Sequence, residues 1–425
     1  MAPKVSDLLI GVGLLASLHL HGCSSWQTIL FVLGIGLRVV TGRALGATET
    51  DEEGAPAAAL RVVAAGAHAA GNNPATGFGF TNSRGSLLHV RHSLPAGAED
   101  DPACAAITAV VLLLHGLGAH ANRKSYAALG AKLAQRGIAV VMYDQEGHGR
   151  SGGLVGFIPD AGLLVDDAAL LVRLFTDGTE GGGGDEERLG LPAAVRRRLG
   201  SVPLFVMGQS MGGGLCVLLG QRLQQQQQQQ QEDCEHRCRI WKRQHQHQQQ
   251  QSNHFCGAVL TCPALVAVLP PAPVYYFLTW VVAPLFRKAR MPPMFDATCS
   301  LSDIWVRAMD IARVEADSGP GGLACKGAMR FGTATALLAM LASIQVALPS
   351  VRFPFLVLHD PDDKVCRFEG TEGLMARSGT APADKVLRRM PGMRHDLITN
   401  CTDELAEHTI AWLLARIAGE SKKRA

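Results

Sequence analysis

Residues 202–214 read "VPLFVMGQSMGGG". A short apolar run is followed by Ser210, which lies between Gly208 and Gly212. Such a run predicts a buried strand, and the small residues after it predict the start of a helix. Only small side chains fit beside so sharp a turn, which lifts the serine hydroxyl clear of the sheet. The stretch therefore predicts a strand, a tight turn and a helix, with Ser210 as a candidate nucleophile. A glycine-rich turn without chemistry is the alternative.

Apolar runs and helical segments alternate on both sides of this unit. The predicted strands lie at 86–93, 106–116, 138–144, 257–263, 353–360 and 385–390. The predicted helices lie at 125–137, 163–175 and 403–417. Strands that alternate with helices at this spacing predict a mainly parallel sheet with helices on both faces. The fold class is therefore α/β.

Composition limits the classes of function. The 425 residues are 47% hydrophobic, as in a globular protein, and the formal charge of +3 is spread along the chain without a basic stripe. Nucleic acid is therefore not an expected partner. The eleven cysteines show no disulfide framework. Cys234 and Cys238 lie close together near three histidines, but their spacing matches no standard zinc pattern, so no metal is expected.

The chain divides by composition into an N-terminal segment, 1–78, and a catalytic-sized domain, 79–420. Residues 8–37 contain no Asp, Glu, Lys or Arg, but "HLHGCSSWQT" separates their two apolar halves. A tilted membrane anchor, a cleaved signal and an organelle transit segment all fit this pattern, as does a leader without a role. Residues 44–78 resemble a linker. We expect the protein to be membrane-associated or targeted to an organelle in a eukaryotic cell.

Two segments interrupt the alternation. Residues 177–188 form a glycine-rich acidic stretch, and residues 224–254 contain an eight-glutamine run with further glutamine beyond it. Such composition cannot bury a core, so both are predicted to be solvated surface loops. The glutamine-rich insertion is either a tolerated repeat expansion or a binding site for protein partners.

A serine nucleophile needs a base, and the base needs an acid that orients it. In chains of this kind the order is serine, acid, histidine. The candidate acids are Asp360, Asp362 and Asp363, which follow an apolar strand, and the candidate base is His395 in "RMPGMRHDLITN". Each lies after a strand, where open α/β sheets gather their sites.

An oxyanion hole requires two backbone donors placed before the reaction. The amide of Met211, directly after the candidate nucleophile, is the first candidate. The second is the amide of Leu117 in "LLLHGLGAH", where glycines let the backbone approach a substrate.

These pieces resemble the monoacylglycerol lipase and lysophospholipase group of α/β hydrolases, in particular the plant-type, caffeoylshikimate esterase-like members. The resemblance runs from about residue 79 to residue 418 outside the insertions. It rests on "NSRGSLLHV", "HGLGAH", "YDQEGHGRSGG" followed by "GFIPD", "GQSMGGG", "RFGTATALLAM", "PFLVLHDPDDKVC" and "PGMRHDLI". The resemblance implies the α/β-hydrolase fold and a helical cap at 264–350.

The resemblance also implies roles for single residues. Ser210 is the nucleophile, His395 the base, and Asp363 the acid at the last position of "H-G-x-x-D", with Asp362 as a stand-in. The chain departs from the pattern at three sites, which are Asp360 in place of glycine, Gln209 in place of histidine and Arg394 in place of an aromatic residue. Cys366 matches a cysteine of the mammalian enzymes. In this chain Cys366 either makes the site sensitive to thiol reagents or is an inert buried residue.

The sequence thus predicts a serine hydrolase that cleaves a lipid carboxylic ester, a monoacylglycerol or a lysophospholipid, without metal or organic cofactor. The N-terminal segment and the apolar start of the cap are candidates for membrane contact. Two alternatives stay open. An acyltransferase would use the same triad with an alcohol as acceptor, and a non-catalytic member would bind ligands or partners.

Overall fold

A computed structural model describes most of the predicted domain. The described residues are 78–98, 100–101, 103–176, 189–241, 255–267, 272–291, 323 and 329–424. The predicted leader and linker (1–77) and the glycine-rich acidic segment 177–188 therefore lie outside the described residues, as do residues 242–254 of the glutamine-rich insertion and residues 268–271, 292–322 and 324–328 of the cap.

The described chain contains an eight-stranded sheet. Its strands are β1 (Gly79–Thr81), β2 (Leu87–Ser93), β3 (Ala109–Leu114), β4 (Ile138–Tyr143), β5 (Leu204–Gln209), β6 (Phe255–Thr261), β7 (Phe355–His359) and β8 (Lys385–Arg389). Their order across the sheet is β1-β2-β4-β3-β5-β6-β7-β8. The first two pairings, β1 with β2 and β2 with β4, are antiparallel, and the others are parallel. The predicted α/β class is confirmed, with β5 inside the parallel part.

The described chain contains ten α-helices, and several of them pack on the two faces of this sheet. They are α1 (Lys124–Ala134), α2 (Ala161–Thr176), α3 (Ala193–Leu199), α4 (Met211–Trp241), α5 (Ala272–Phe277), α6 (Ala283–Leu285), α7 (Phe331–Ala347), α8 (Phe368–Arg377), α9 (Leu397–Asn400) and α10 (Thr402–Arg424). A π-helical turn, Leu278–Val282, joins α5 to α6. Two short 3₁₀ turns lie at Leu348–Ser350 and Pro382–Asp384.

The central strands, β3 to β7, are mostly apolar because both of their faces are buried. All six residues of β3 are buried, with Val110 and Leu112 in one core cluster and Val111 and Leu113 in the other. The first cluster includes residues of α2, α4 and α7, and the second includes residues of α1 and α10. Continuous apolar runs are typical of parallel strands in such a three-layer arrangement.

The glutamine run corrects one expectation. Its composition predicts a surface loop, but α4 continues through it as far as Trp241. Glutamine is a good helix former, so a helix already anchored in the core extends into solvent at little cost. The prediction of solvent exposure is correct for residues 228–232, which are exposed. Gln224 is more enclosed, and its Oε1 accepts a hydrogen bond from the Arg352 backbone N–H at 2.9 Å.

The segment between β6 and β7 holds two apolar helical stretches. Residues 272–278 belong to a separate compact unit, in which the Tyr275 and Tyr276 rings meet edge to face at 5.4 Å between centroids. Phe331–Ser350 is the one helical segment of the described chain that is long and apolar enough to cross a membrane. Its residues Ala336, Met340 and Ile344 pack in the core beside α4, which accounts for its apolar composition.

Candidate active site

The strand β5 and the helix α4 meet at a sharp turn, the nucleophile elbow (residues 208–212). Ser210 lies at its tip with a φ of 56°, in the left-handed region that residues other than glycine rarely adopt. The surrounding backbone determines this conformation. The Ser210 N–H donates to the Thr261 carbonyl at 3.0 Å, and the Ser210 carbonyl accepts from the Gly214 and Ala264 amides at 3.1 and 2.9 Å. Strain of this kind, held in place by neighbouring bonds, is common at functional sites.

The elbow glycines are required by close backbone approach. A Cβ on Gly208 would lie 2.3 Å from the Gly212 carbonyl oxygen, and a Cβ on Gly212 would lie 2.2 Å from the Leu114 carbonyl oxygen. Gly116, after β3, faces the serine in the same way, since its Cβ would lie 3.2 Å from the Ser210 Cβ. The loop after β3 is thus packed directly against Ser210.

The candidate acid and base lie beside each other on the loops that follow β7 and β8. We call these loops, residues 359–366 and 393–400, the acid–base corner. His395 Nδ1 lies 2.7 Å from Asp363 Oδ2. Asp363 is buried, whereas its neighbour Asp362 is exposed. Of the three carboxylates that the sequence offers as the acid, Asp363 is the one bonded to His395.

The Asp363 carboxylate is surrounded by donors. Its Oδ1 accepts from the backbone N–H groups of Val365 and Cys366 at 2.7 and 3.1 Å, and its Oδ2 lies near both His395 and His359. Burial acts to raise the pKa of Asp363, but the charge of His395 and these hydrogen bonds outweigh burial. The net pKa of Asp363 is therefore well below its ordinary value, and the carboxylate stays ionised at neutral pH.

His359 is a second imidazole on the same carboxylate, and the sequence indicates only that it ends a strand. Its Nε2 lies 3.2 Å from Asp363 Oδ2 and 3.0 Å from the Cys366 carbonyl oxygen. Because a carbonyl oxygen can only accept, the proton lies on Nε2. Its Nδ1 lies 2.7 Å from Thr371 Oγ1. His359 thus connects Asp363 to α8, and its position in the "H-G-x-x-D" pattern was the available signal.

Of the two candidate oxyanion donors, one begins a helix directly after Ser210 and the other lies in the loop after β3. Met211 is the first residue of α4, so its N–H has no acceptor within the helix. Leu117 follows Gly116 in the loop packed against Ser210. Among the described residues, neither amide has a backbone acceptor. Both therefore stay candidates for the oxyanion hole.

Two buried cysteines complete the surroundings. Cys366 Sγ lies 3.8 Å from Ser210 Oγ, and burial raises the pKa of its thiol well above the ordinary value. Cys262, His359 and Asp363 each offer an atom that can bind a metal ion, and these three atoms lie within 4.8 Å of one another. Since Asp363 Oδ2 is shared by two histidines and burial also raises the pKa of Cys262, hydrogen bonding accounts for this cluster without a metal.

A polar link joins the elbow to the acid–base corner. Gln209 Nε2 donates to Asp396 Oδ1 at 2.7 Å, and Arg123 donates to Asp396 Oδ2 and to Thr399 Oγ1, both at 2.6 Å. The residue before Ser210 is thereby bonded to the residue after His395. Burial opposes ionisation of Asp396, but the Arg123 charge and these bonds hold the pKa of Asp396 below its ordinary value. No sequence signal related Arg123 to residues more than 270 positions away.

The fold and these contacts define the class of protein, a serine hydrolase of the α/β-hydrolase fold. Comparison with known proteins agrees. The family model described as "Serine aminopeptidase, S33" matches residues 105–231 and 244–402, which is more than half of the chain. The chain belongs to this family.

Individual relatives extend over most of the chain. "Monoglyceride lipase" of Mus musculus is 24% identical over 343 residues, which cover 80% of this chain and 90% of that protein. "Monoacylglycerol lipase" of Mycolicibacterium smegmatis is 24% identical over 72% of this chain and 89% of its own length. The crystal structure of Paleococcus ferrophilus monoacylglycerol lipase has 17% identity and a TM-score of 0.51, and covers 77% of this chain and 99% of its own. This structural likeness shows the fold alone. The predicted membership of the monoacylglycerol lipase group is confirmed, and its plant-type detail stays a prediction.

Proposed function

We propose that the chain hydrolyses the carboxylic ester of a monoacylglycerol, with Ser210, His395 and Asp363 as its catalytic triad. The contact that carries this proposal is the 2.7 Å distance between His395 Nδ1 and the ionised Asp363 carboxylate. Ser210, Asp363 and His395 each follow a strand of the parallel part, so all three lie at the carboxyl edge of the sheet. An acceptor on Nδ1 keeps Nε2 free of its proton, which is the state that a general base requires.

In the proposed reaction Ser210 Oγ attacks the acyl carbonyl carbon while His395 Nε2 takes the serine proton. The amides of Leu117 and Met211 stabilise the negative charge that forms on the carbonyl oxygen. The tetrahedral intermediate then loses the glycerol alkoxide, which receives the proton from His395. Water, deprotonated in turn by His395, cleaves the acyl-enzyme and releases the fatty acid. Asp363 stabilises the imidazolium in both halves of the reaction.

The substrate class is supported by the curated relatives, which carry the names monoglyceride lipase and monoacylglycerol lipase. A lysophospholipid contains the same acyl ester with a charged head group, and it is the second substrate for the test. Hydrolysis of both at similar kcat/KM would place the selectivity in the acyl chain and not in the head group.

Membrane association is part of the proposal. The helical stretch Ala272–Leu285 is apolar, and within it Trp280 and Leu285 are 77% and 70% exposed. Aromatic and aliphatic side chains exposed on a short apolar helix are typical of contact with a lipid interface. Flotation with phosphatidylcholine vesicles should recover the protein with the lipid, and a Trp280→Ser, Leu285→Ser variant should float less.

The triad is tested by labelling with a fluorophosphonate and by release of oleate from 1-oleoylglycerol. We expect wild type to label, and Ser210→Ala and His395→Ala to lose labelling and roughly 10⁴-fold or more of kcat/KM. Asp362→Asn, an exposed carboxylate beside the acid, is the matched control and should retain activity. Folded wild-type protein that neither labels nor releases oleate would refute the proposal.

A further inference from the structure

The acid–base corner contains a second buried carboxylate that the proposed reaction does not use. Asp360 is 2% exposed and lies at the end of β7, where the resembling pattern has glycine. Its Oδ1 accepts from the Asp362 backbone N–H at 2.9 Å, and its Oδ2 accepts from the Arg394 backbone N–H at 2.6 Å. The second bond crosses from the loop after β7 to the loop after β8. It ends at the residue immediately before His395.

Arg394 has a φ of 61°, in the left-handed region that a long side chain disfavours. Such a conformation is unfavourable and persists only where its surroundings hold it. Here both polar groups of the peptide unit before Arg394 are bonded to side chains. Asp360 accepts from the Arg394 N–H, and Asn400 Nδ2 donates to the Met393 carbonyl at 2.7 Å. The Arg394 carbonyl in turn accepts a weak bond from Cys262 Sγ at 3.7 Å.

This backbone conformation determines where the next side chain points. A change of φ at Arg394 would rotate the following peptide and carry His395 away from Asp363, whose Oδ2 must stay 2.7 Å from His395 Nδ1. A bond from an N–H to a carboxylate is charge-assisted and about twice as strong as a neutral one. We infer that Asp360 is a positioning residue that holds Arg394 in its left-handed conformation and thereby orients His395. The inference rests on the proposed role of His395 as base.

The primary test is Asp360→Asn, which keeps the shape of the side chain. An amide has one accepting oxygen, so the substituted side chain can accept from only one of the two N–H groups that Asp360 serves. We expect kcat and the rate of fluorophosphonate labelling to fall about 10- to 100-fold with KM changed less than about twofold, as for a misplaced catalytic group. Asp362→Asn, in the same loop and exposed, should change neither.

A second substitution separates positioning from general destabilisation. Glycine adopts positive φ without strain, so Arg394→Gly removes the need for the Asp360 bond. The double variant with Asp360→Asn and Arg394→Gly should therefore label within about threefold of Arg394→Gly alone, a non-additive result diagnostic of coupling. A structural role for Asp360 would instead lower the melting temperature equally in both backgrounds and show no rescue.

The outcomes distinguish the two proposals. The positioning role would be overturned if Asp360→Asn labelled as fast as wild type. It would also be overturned if Asp360→Asn slowed labelling as much in the Arg394→Gly background as it does in wild type. Wild type that labels but does not cleave 1-oleoylglycerol would defeat the proposed substrate while the labelling comparison still tests Asp360. If Asp360→Asn does not fold by itself, it is tested in the Arg394→Gly background. A double variant that folds and labels within about threefold of Arg394→Gly would support the inference, and one that stays unfolded or labels about 10-fold or more slowly would refute it.

Discussion

At the nucleophile elbow the chain is held by excluded volume, and at the acid–base corner it is held by charged hydrogen bonds. The glycines of the elbow meet main-chain oxygens, as Gly212 meets the Leu114 carbonyl. The corner contains three buried or half-buried carboxylates, Asp360, Asp363 and Asp396, each bonded to groups on another element or loop turn. The elbow should therefore be sensitive to the size of a substituted residue and insensitive to pH. The corner should respond to loss of a charge, loss of a partner and acid.

The largest effect is expected where a charge of the corner loses its partner. Arg123 is 3% exposed and pairs with Asp396, so Arg123→Met leaves that carboxylate without its cation. Removing one partner of a buried pair costs about 3–5 kcal/mol. Urea unfolding should show a decrease of this size in the free energy of unfolding.

The control for Arg123 is a salt bridge on the surface. Lys132 pairs with Asp403, and their side chains are partly and largely exposed respectively, so Lys132→Met should cost less than about 1 kcal/mol. Similar losses for the two variants would contradict the view that the corner is held by charge.

The elbow should respond next, through size alone. A Cβ at Gly212 would lie 2.2 Å from the Leu114 carbonyl oxygen, which belongs to a buried strand and cannot move aside. Gly212→Ala should cost about 3 kcal/mol, at the upper end of the usual range for overpacking, and abolish fluorophosphonate labelling. The measurement is the midpoint of urea unfolding together with labelling.

Gly373 in α8 is the matched control for Gly212. A Cβ there would meet nothing within 4 Å, so Gly373→Ala should raise helix stability by up to about 1 kcal/mol and leave labelling unchanged. Tolerance of alanine at both positions would show that the close approach at Gly212 is not restrictive.

The smallest effect is a pH dependence of the corner. The pKa of Asp363 is lower in the folded protein than its unfolded value of about 4. Its contribution is therefore present above pH 4 and is lost as pH falls below that value. At pH 6 Asp363→Asn should be less stable than wild type by about 1.5–3 kcal/mol, the usual contribution of a bond to a charged group.

The difference between wild type and Asp363→Asn should shrink as the pH of urea unfolding is lowered from 6 to 3. Asp362→Asn should show a small difference at every pH, because its side chain is exposed. A difference for Asp363→Asn that stays constant through this range would mean that its ionisation does not stabilise the fold.

Much of the fold could be predicted because its determinants are local. The apolar runs at 138–144 and 202–208 became β4 and β5, since a strand buried on both faces needs a continuous apolar segment. The loop prediction for the glutamine run is wrong for a related reason. Composition shows that the run cannot be buried, but it does not show whether an exposed segment prolongs a helix that begins in the core.

The elements of the candidate site could be predicted unevenly. Motifs and chain order select Ser210 and His395, and their catalytic roles stay predictions that the labelling experiment tests. The choice between Asp362 and Asp363 depended on which carboxylate contacts His395. The two residues are adjacent in the chain, so only their positions in the folded loop distinguish them. His359 bonds to Asp363, four positions away, whereas Asp360 bonds to a residue 34 positions away and Arg123 to one 273 positions away. No local sequence pattern indicates the second and third of these contacts.

The sequence by itself determined the α/β class, the order of the strands along the chain and the strand–turn–helix unit around Ser210. These follow from apolar periodicity and from the steric demand for glycine, which act over a few residues. Only the tertiary structure decided which carboxylate meets His395, what holds Arg394 at positive φ and how Asp396 is neutralised. Those outcomes depend on hydrogen bonds and charges that act over a few ångströms, between segments that only the folded sheet brings together.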